Sequence, residues 1–290
     1  MIISTWRPLL ARRLNLALLV GTAVILLGTF PARATTSITT CPYTISAGGN
    51  YEVDKDLTCS SSDGIDIQVS HVHLNLNGHI ITGGGSNNGI LVEPASGPGP
   101  LTDIHILGPG LVQKFFEGIE FNAELAGSEV RNVTSAFNGN NGVVADFTGS
   151  ASGLRLTENV TVSNQGLGIF LWNSTDGQLE DNDATFNLSG GIALAAGSGN
   201  ELHGNRAEGN GEHGIVIEDD STNNKVDGNA TNGNSFIGIY LHSGSTGQVI
   251  QSNQSTGNGS VDMEDDNAPS CDSNNWHNNS FFTRSLPCIH

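Results

Sequence analysis

The sequence predicts an all-β solenoid, a parallel β-helix of about nine coils, and three periodic features predict it. The first is a Gly followed by apolar alternation. It occurs at Gly64-Ile65-Asp66-Ile67, Gly89-Ile90-Leu91-Val92, Gly118-Ile119-Glu120-Phe121, Gly142-Val143-Val144-Ala145, Gly168-Ile169-Phe170-Leu171, Gly191-Ile192-Ala193-Leu194, Gly214-Ile215-Val216-Ile217 and Gly238-Ile239-Tyr240-Leu241. The steps between glycines are 25, 29, 24, 26, 23, 23 and 24 residues, and a shortened copy ends in Val261-Asp262-Met263. The second feature is an Asn four residues before the glycine, at Asn138, Asn164, Asn187, Asn210 and Asn234, with Asn258 before the short copy. The third is a pair of columns further upstream: Asn159, Asn182, Asn205, Asn229 and Asn253, each three residues after an aliphatic (Leu156, Leu179, Leu202, Val226 and Ile250). Self-similarity at this period marks a repeat architecture.

Each repeat reads as a few short strands of period two separated by Asn/Gly turns. Leucine is too sparse for leucine-rich repeats, and no stretch keeps a 3.6-residue period. The strands must therefore stack on their own copies, one rung about 4.8 Å above the last. Asn suits the corners because it tolerates left-handed backbone angles. Its amide carries both donor and acceptor, so stacked copies can bond up and down the column. One coil cannot bury its apolar face alone, whereas identical coils above and below can.

Residues 1–34 read as a secretory signal peptide, with a basic start (Arg7, Arg12, Arg13), an apolar run from Leu14 to Leu27 and the small-x-small site Ala32-Arg33-Ala34. The remaining 35–290 read as one domain: an N-terminal cap (35–63), coils (64–266) and a C-terminal cap (267–290). The chain is then secreted, periplasmic or held at the cell surface, with no membrane span after cleavage. Cleavage removes four arginines and no acid, so the formal charge of −18 becomes −22. Such a surface repels nucleic acid and anionic membranes. It suits calcium or neutral partners, and a polyanionic substrate would need a local basic patch or bridging cations. In an exported chain four cysteines imply disulfides. A bridge needs Cα atoms within about 7 Å, so along a rod the pairs are local, Cys41–Cys59 and Cys271–Cys288. They clamp the two ends, where strand edges would otherwise lie open.

At this level of detail the chain resembles a family. The Asn-x₄-Asn-x₃-Gly-Ile repeat is similar to the right-handed parallel β-helix repeats of the pectate-lyase-like superfamily. The opening "YEVDKDLTCSSSDGIDIQVSHVHLNLNGHIITGGG" and the tail "VDMEDDNAPSCDSNNWHNNSFFTRSLPCI" resemble the first coils and closing cap of secreted bacterial members. The resemblance implies right-handed coiling, and polysaccharide or a cell-surface glycan as partner, since its members include polysaccharide lyases, polygalacturonases and uronan epimerases. Their catalytic sets are absent. No Arg or Lys joins the acid-rich face except Lys114 in the turn before Gly118. The Asn-x-Asp, Asp-Asp, Gly-His-Gly and Arg-x-Lys set is missing, as is Asp-Pro-His-Asp.

Candidate site residues follow from the outward positions of the Gly-Ile-x-apolar strands. One outward column runs Asp66, Leu91, Glu120, Val144, Phe170, Ala193, Val216, Tyr240 and Asp262. The other runs Gln68, Glu93, Asn122, Asp146, Trp172, Ala195, Glu218, His242 and Glu264, provided Val261 and Met263 both face inward. Trp172, Phe170 and Tyr240 offer rings for stacking on sugars. Glu120 and Asp146, one rung apart, have the spacing for calcium or for a retaining glycosidase pair. Glu218, His242 and Glu264 stack on three rungs, so Glu218, His242 and Asp146 are the expected catalytic groups, and Glu120 joins the aromatics in substrate binding. His71, His73 and His105 have the chemistry for a transition metal, but no cysteine or carboxylate completes the set, so they read as surface strand histidines. Glu129/Arg155, Glu201/Lys225 and His203/Asp227 read as cross-rung charge pairs. Insertions at 93–103 and 146–153 leave the end of the same strand face, where loops shape clefts. The two readings of function are a secreted protein that binds, cleaves or modifies polysaccharide on this face, as lyase, hydrolase or epimerase, and a non-catalytic rod.

Overall fold

The residue after each repeated glycine turns inward and stacks on its equivalent. Ile65, Ile90, Ile119, Val143, Ile169, Ile192, Ile215, Ile239 and Met263 form one buried column, each in Cα register with the next. This is the wall of a parallel β-helix in the computed structural model, which describes residues 34–96, 99–146 and 151–290. The proposed signal peptide lies, but for Ala34, outside the described residues. No α-helix occurs among the described residues, and none is long and apolar enough to cross a membrane.

Three sheets run along the rod, all with parallel pairing. The groove sheet has ten strands, from Tyr43–Ile45 through Ile215–Glu218 and Ile239–Leu241 to Met263–Asp265. It therefore counts ten turns, one more than the glycine repeat shows. The extra strand, Tyr43–Ile45, lacks the Gly-Ile signature yet pairs in register with Ile65–Ile67. The long sheet has eleven strands and buries Leu156, Leu179, Leu202, Val226 and Ile250 in one column. Trp276 closes that column, opposite Ile250. The third sheet has six strands, Leu57–Cys59 to Asp183–Thr185, and continues as single bridges from Asp183 through Arg206 and Ala230 to Gln254. The described ends of the two insertions pair in a fourth, short sheet with Leu101–Thr102, Leu125–Ala126, Ala151–Ser152 and Ser174–Thr175.

The asparagine columns are hydrogen-bonded ladders. Asn159 Nδ2 donates to Asn182 Oδ1 at 3.0 Å, and the pattern repeats through Asn205, Asn229, Asn253 and Asn279. The second ladder runs from Asn138 through Asn164, Asn187, Asn210 and Asn234 to Asn258. Along each ladder the backbone N–H of one Asn also donates to the next Oδ1, as in Asn182 to Asn205 at 3.0 Å. The same Nδ2 reaches back to a carbonyl of the preceding coil, as Asn182 does to Leu156 O at 2.7 Å. Donors and acceptor of these buried amides are thus satisfied together, which is what burial demands. A third ladder escaped the sequence reading: Asn200 bonds Asn224, whose N–H donates to Gln248 Oε1, and Gln248 N–H donates to Asn274.

Coil spacing also explains the repeated glycine. A Cβ at Gly214 would lie 2.5 Å from Gly238 O and 2.8 Å from Asn234 Nδ2. The disulfides are Cys41–Cys59 and Cys271–Cys288, with Cα separations of 5.5 and 6.2 Å. Loops this short contribute about 3 kcal/mol each in the chain-entropy picture.

The register of the last coil corrects one expectation. Met263 pairs with Ile239, Glu264 with Tyr240 and Asp265 with Leu241. Glu264 thus stacks on Tyr240, not on His242, and Asp265 occupies an inward position. That buried carboxylate accepts Trp276 Nε1 at 2.8 Å, Asn267 Nδ2 at 2.8 Å and Asn267 N–H at 2.9 Å. A fully bonded acid can therefore replace an apolar residue where the rod closes.

Candidate functional site

The groove sheet carries its chemistry where the side chains of an outward column change size. On successive rungs the residues are Phe170, Ala193, Val216 and Tyr240. Trp172 pairs with Ala195, and Ala195 with Glu218. Two aromatic walls thus stand three rungs apart, about 14 Å, with Ala193 and Val216 on the rungs between. Phe170 and Trp172 meet edge to face at 6.5 Å. Trp172 is the more open of the two, 37% exposed. At the other wall Tyr240 stacks on His213, with centroids 5.3 Å apart at 27°, and Phe236 meets His213 edge-on at 5.2 Å. A trough of about 370 Å³ opens against this second wall, lined by Leu167, Ala193, His213, Val216, Glu218 and Tyr240 among others, while Phe170 and Trp172 lie outside its lining.

His213 was not among the residues singled out from sequence. The outward columns read from sequence belong to the Gly-Ile-x-apolar strand, and His213 lies immediately before Gly214. That preceding column forms the groove's side wall: Asn88 N–H donates to Asp63, Asn141 N–H to Glu117 and Leu167 N–H to Asn141 Oδ1. The signal was present, since polar residues recur before the glycine at Asp63, Asn88, Glu117, Asn141 and His213.

The electrostatics follow from burial on an acidic wall. Burial, then the Asp219 charge, raises the Glu218 carboxyl above the ordinary range, although His242 pulls it down. Burial lowers the His213 imidazole, against the Glu212 charge, so the ring is neutral at neutral pH. Its Nδ1 is buried and has no hydrogen-bond partner. Burial, then the hydrogen bond to Asp266, raises the Tyr240 phenol. Tyr240 Oη donates to Asp266 Oδ2 at 2.6 Å. Burial pushes Glu117 up to about 7 despite its bonds from Asn140 and Asn141.

The other expected groups are placed less closely. His242 follows Leu241 at the end of its strand, exposed, with Tyr240 edge-on at 5.9 Å. The expected stack of Glu218, His242 and Glu264 is not formed, because the last coil is shifted by two residues. Glu120 pairs with Val144 on the next rung. Asp146 lies two residues further along, exposed, so the two are diagonal neighbours. Glu120 accepts Asn88 Nδ2 at 2.5 Å. Its carboxyl is raised by burial and then by the charges of Glu93, Asp63 and Asp146. Among the described residues these acids do not meet in a group of three metal-ligating side chains.

Solved structures of known proteins share this architecture. The A-module of the Azotobacter vinelandii mannuronan C-5 epimerase AlgE4 aligns over 80% of this chain and 69% of its own, with TM-score 0.61 and 17% identity. The periplasmic alginate epimerase AlgG aligns over 82% and 75%, with TM-score 0.54 and 14% identity. The enzymatically active domain of bacteriophage CBA120 tailspike protein 2 aligns over 87% of this chain but only 42% of its own, with TM-score 0.56 and 15% identity. At such identities the likeness is one of fold. No curated protein matches the chain in sequence. The family described as right handed beta helix region matches residues 117–282. With more than half its length inside that match, and ten parallel coils to carry it, the chain belongs to the right-handed β-helix family.

Proposed function

We propose that the chain binds a polysaccharide along the groove face, from the trough beside His213 and Tyr240 towards Trp172, and that Glu218 serves there as a proton donor. The observation that carries this reading is the trough itself: small residues and Glu218 beside the stacked His213/Tyr240 wall, with Phe170 and Trp172 further along the same sheet face. Aromatic faces suit the apolar faces of sugar rings. The carboxyl of Glu218 suits the donor's role because it holds its proton to higher pH than a solvated one. Among the described residues no Lys or Arg lines the trough, so a neutral glycan fits its acid-rich rim better than a polyanion unless cations bridge the charges. The structural neighbours named for alginate and mannuronan epimerisation support a glycan as the ligand class. An N-terminus that reads as a signal peptide and the two disulfides support export to an oxidising compartment.

The test is a panel of neutral and acidic polysaccharides, with and without calcium, scored for retention and for new chain ends. Trp172→Ala should weaken retention by about 30-fold, the effect of losing a central aromatic anchor of roughly 2 kcal/mol. Glu218→Gln should keep retention and lose chain cleavage. Retention without any turnover would favour the second reading, a non-catalytic rod, which the hydrogen-bonded ladders and clamped ends support. Equal retention by wild type and Trp172→Ala, or none by either, would refute the groove face as the binding site.

A further inference from the structure

On the long sheet, away from the trough, three histidines gather around one carboxylate. His73 and His105 are register partners on successive strands, with rings 4.5 Å apart. Asp103 sits at the left-handed corner before His105, with φ 58°, directly above His71 with φ 61°. That corner turns the Asp103 side chain back over the strand face. His105 Nε2 lies 2.9 Å and His73 Nε2 3.9 Å from Asp103 Oδ1, while His71 Nδ1 lies 2.9 Å from Oδ2. The carboxylate that sequence reading found missing is therefore present, two residues before His105.

We propose that His73, Asp103 and His105 bind a divalent transition-metal ion of the zinc class. Their ligand atoms all lie within 4.8 Å of one another. Tetrahedral ligands about 2.1 Å from zinc stand roughly 3.4 Å apart, so small rotations of these side chains, His73 exposed and Asp103 and His105 half-buried, close the set. Two imidazoles and a carboxylate are a borderline donor set suited to Zn²⁺, Ni²⁺ or Cu²⁺. His105 adds a second argument. Its Nε2 faces Asp103 and its Nδ1 lies 3.1 Å from Glu129 Oε2. A neutral imidazole has a single N–H, so one of these contacts sets a lone pair against an anion unless a proton or a cation stands between. With Nδ1–H donated to Glu129, Nε2 is free to ligate. This carboxylate–histidine–metal relay fixes the tautomer. Glu129, expected to pair with Arg155, instead faces His105 and Arg131. Beyond the ligands the corner column continues as Gly127 and Gly153. Their missing side chains open a groove of about 520 Å³ that starts at Asp103 and His105, so the site stays accessible.

The experiment uses the full chain without a polyhistidine tag, stripped with chelator and titrated with Zn²⁺ by calorimetry. Co²⁺ absorption reports the ligand field. One ion per chain should bind. His73→Ala/His105→Ala should abolish the stoichiometric phase, and Asp103→Asn should weaken it at least tenfold. Glu129→Gln should weaken it by about tenfold, and His203→Ala should leave it unchanged. Circular dichroism confirms folding of each variant. No stoichiometric Zn²⁺ in the wild type, or titrations and Co²⁺ spectra that coincide for wild type and the double variant, would overturn the assignment and leave a proton as the group that His105 shares with its two carboxylates.

Discussion

Asn159, Asn182, Asn205, Asn229 and Asn253 put the same amide on five successive coils, whereas Phe170, Ala193, Val216 and Tyr240 put four different side chains on four. Both columns run along the same rod. In the first, each coil is held by a copy of itself, and any change removes partners from two neighbours. In the second, the backbone rungs are already paired and the side chains are free to differ. Stability therefore resides where the repeat is kept, and chemistry where it is broken.

The largest effect should come from breaking a ladder. Asn205 Oδ1 accepts both the N–H and the Nδ2 of Asn182, at 3.0 and 2.9 Å. Asn205→Leu, close in size, leaves the Asn182 backbone N–H without a partner and its Nδ2 with only the bond to Leu156 O. Each unsatisfied buried group costs about 1–3 kcal/mol, so denaturant unfolding should show a loss of about 3 kcal/mol. Trp172→Ala on the groove face should change stability by much less while weakening glycan retention by about 30-fold. A loss below about 1 kcal/mol for Asn205→Leu would erase the distinction between the two columns.

A smaller effect should come from Glu117, a wall residue of the groove sheet that opposes the fold. Its carboxyl rises from 4.5 to about 7 on folding, chiefly through burial. The folded state therefore favours the protonated form. The contribution is fully present below about pH 4.5, declines as pH rises through about 7, and is flat above. Allowing for residual solvent access, the decline is about 1–2 kcal/mol. Thermal midpoints measured from pH 4 to pH 8 should fall across that window in the wild type, and Glu117→Gln should flatten the fall. A wild-type curve that rises from pH 4.5 to pH 7 and is unchanged by Glu117→Gln would show that the wall does not oppose folding.

Much of the fold was legible because each coil obeys the same local rule. The glycine step, two of the amide ladders and the end clamps can all be read by aligning the chain with itself. The third ladder was lost because Gln248 interrupts Asn200, Asn224 and Asn274: the chemistry repeats while the letter does not. The last coil was misplaced by two residues because an inward position was assumed to be apolar, and Asp265 is inward with its bonds supplied by the cap. The site was legible in part. Trp172, Tyr240 and Glu218 stand out as breaks in outward columns, but His213 lies before the strand that defined those columns. Asp103 was passed over because only the left-handed corner brings it over His73 and His105.

The smallest effect should come from the charged pairs of the long sheet, which repeat in register without being buried. Lys225 Nζ lies 2.6 Å from Glu201 Oε1 and 3.2 Å from Asp227 Oδ2, but its side chain is 41% exposed. Water already solvates these ions, and holding a long side chain in one geometry offsets most of the attraction. Lys225→Ala should therefore destabilise by less than about 1 kcal/mol, and 1 M salt should remove most of that difference. A salt-independent loss as large as that of Asn205→Leu would place stability in surface charge as much as in the ladders. Repetition would then be insufficient as the criterion, and burial of the repeated group would no longer separate what holds the rod together from what its faces are free to vary.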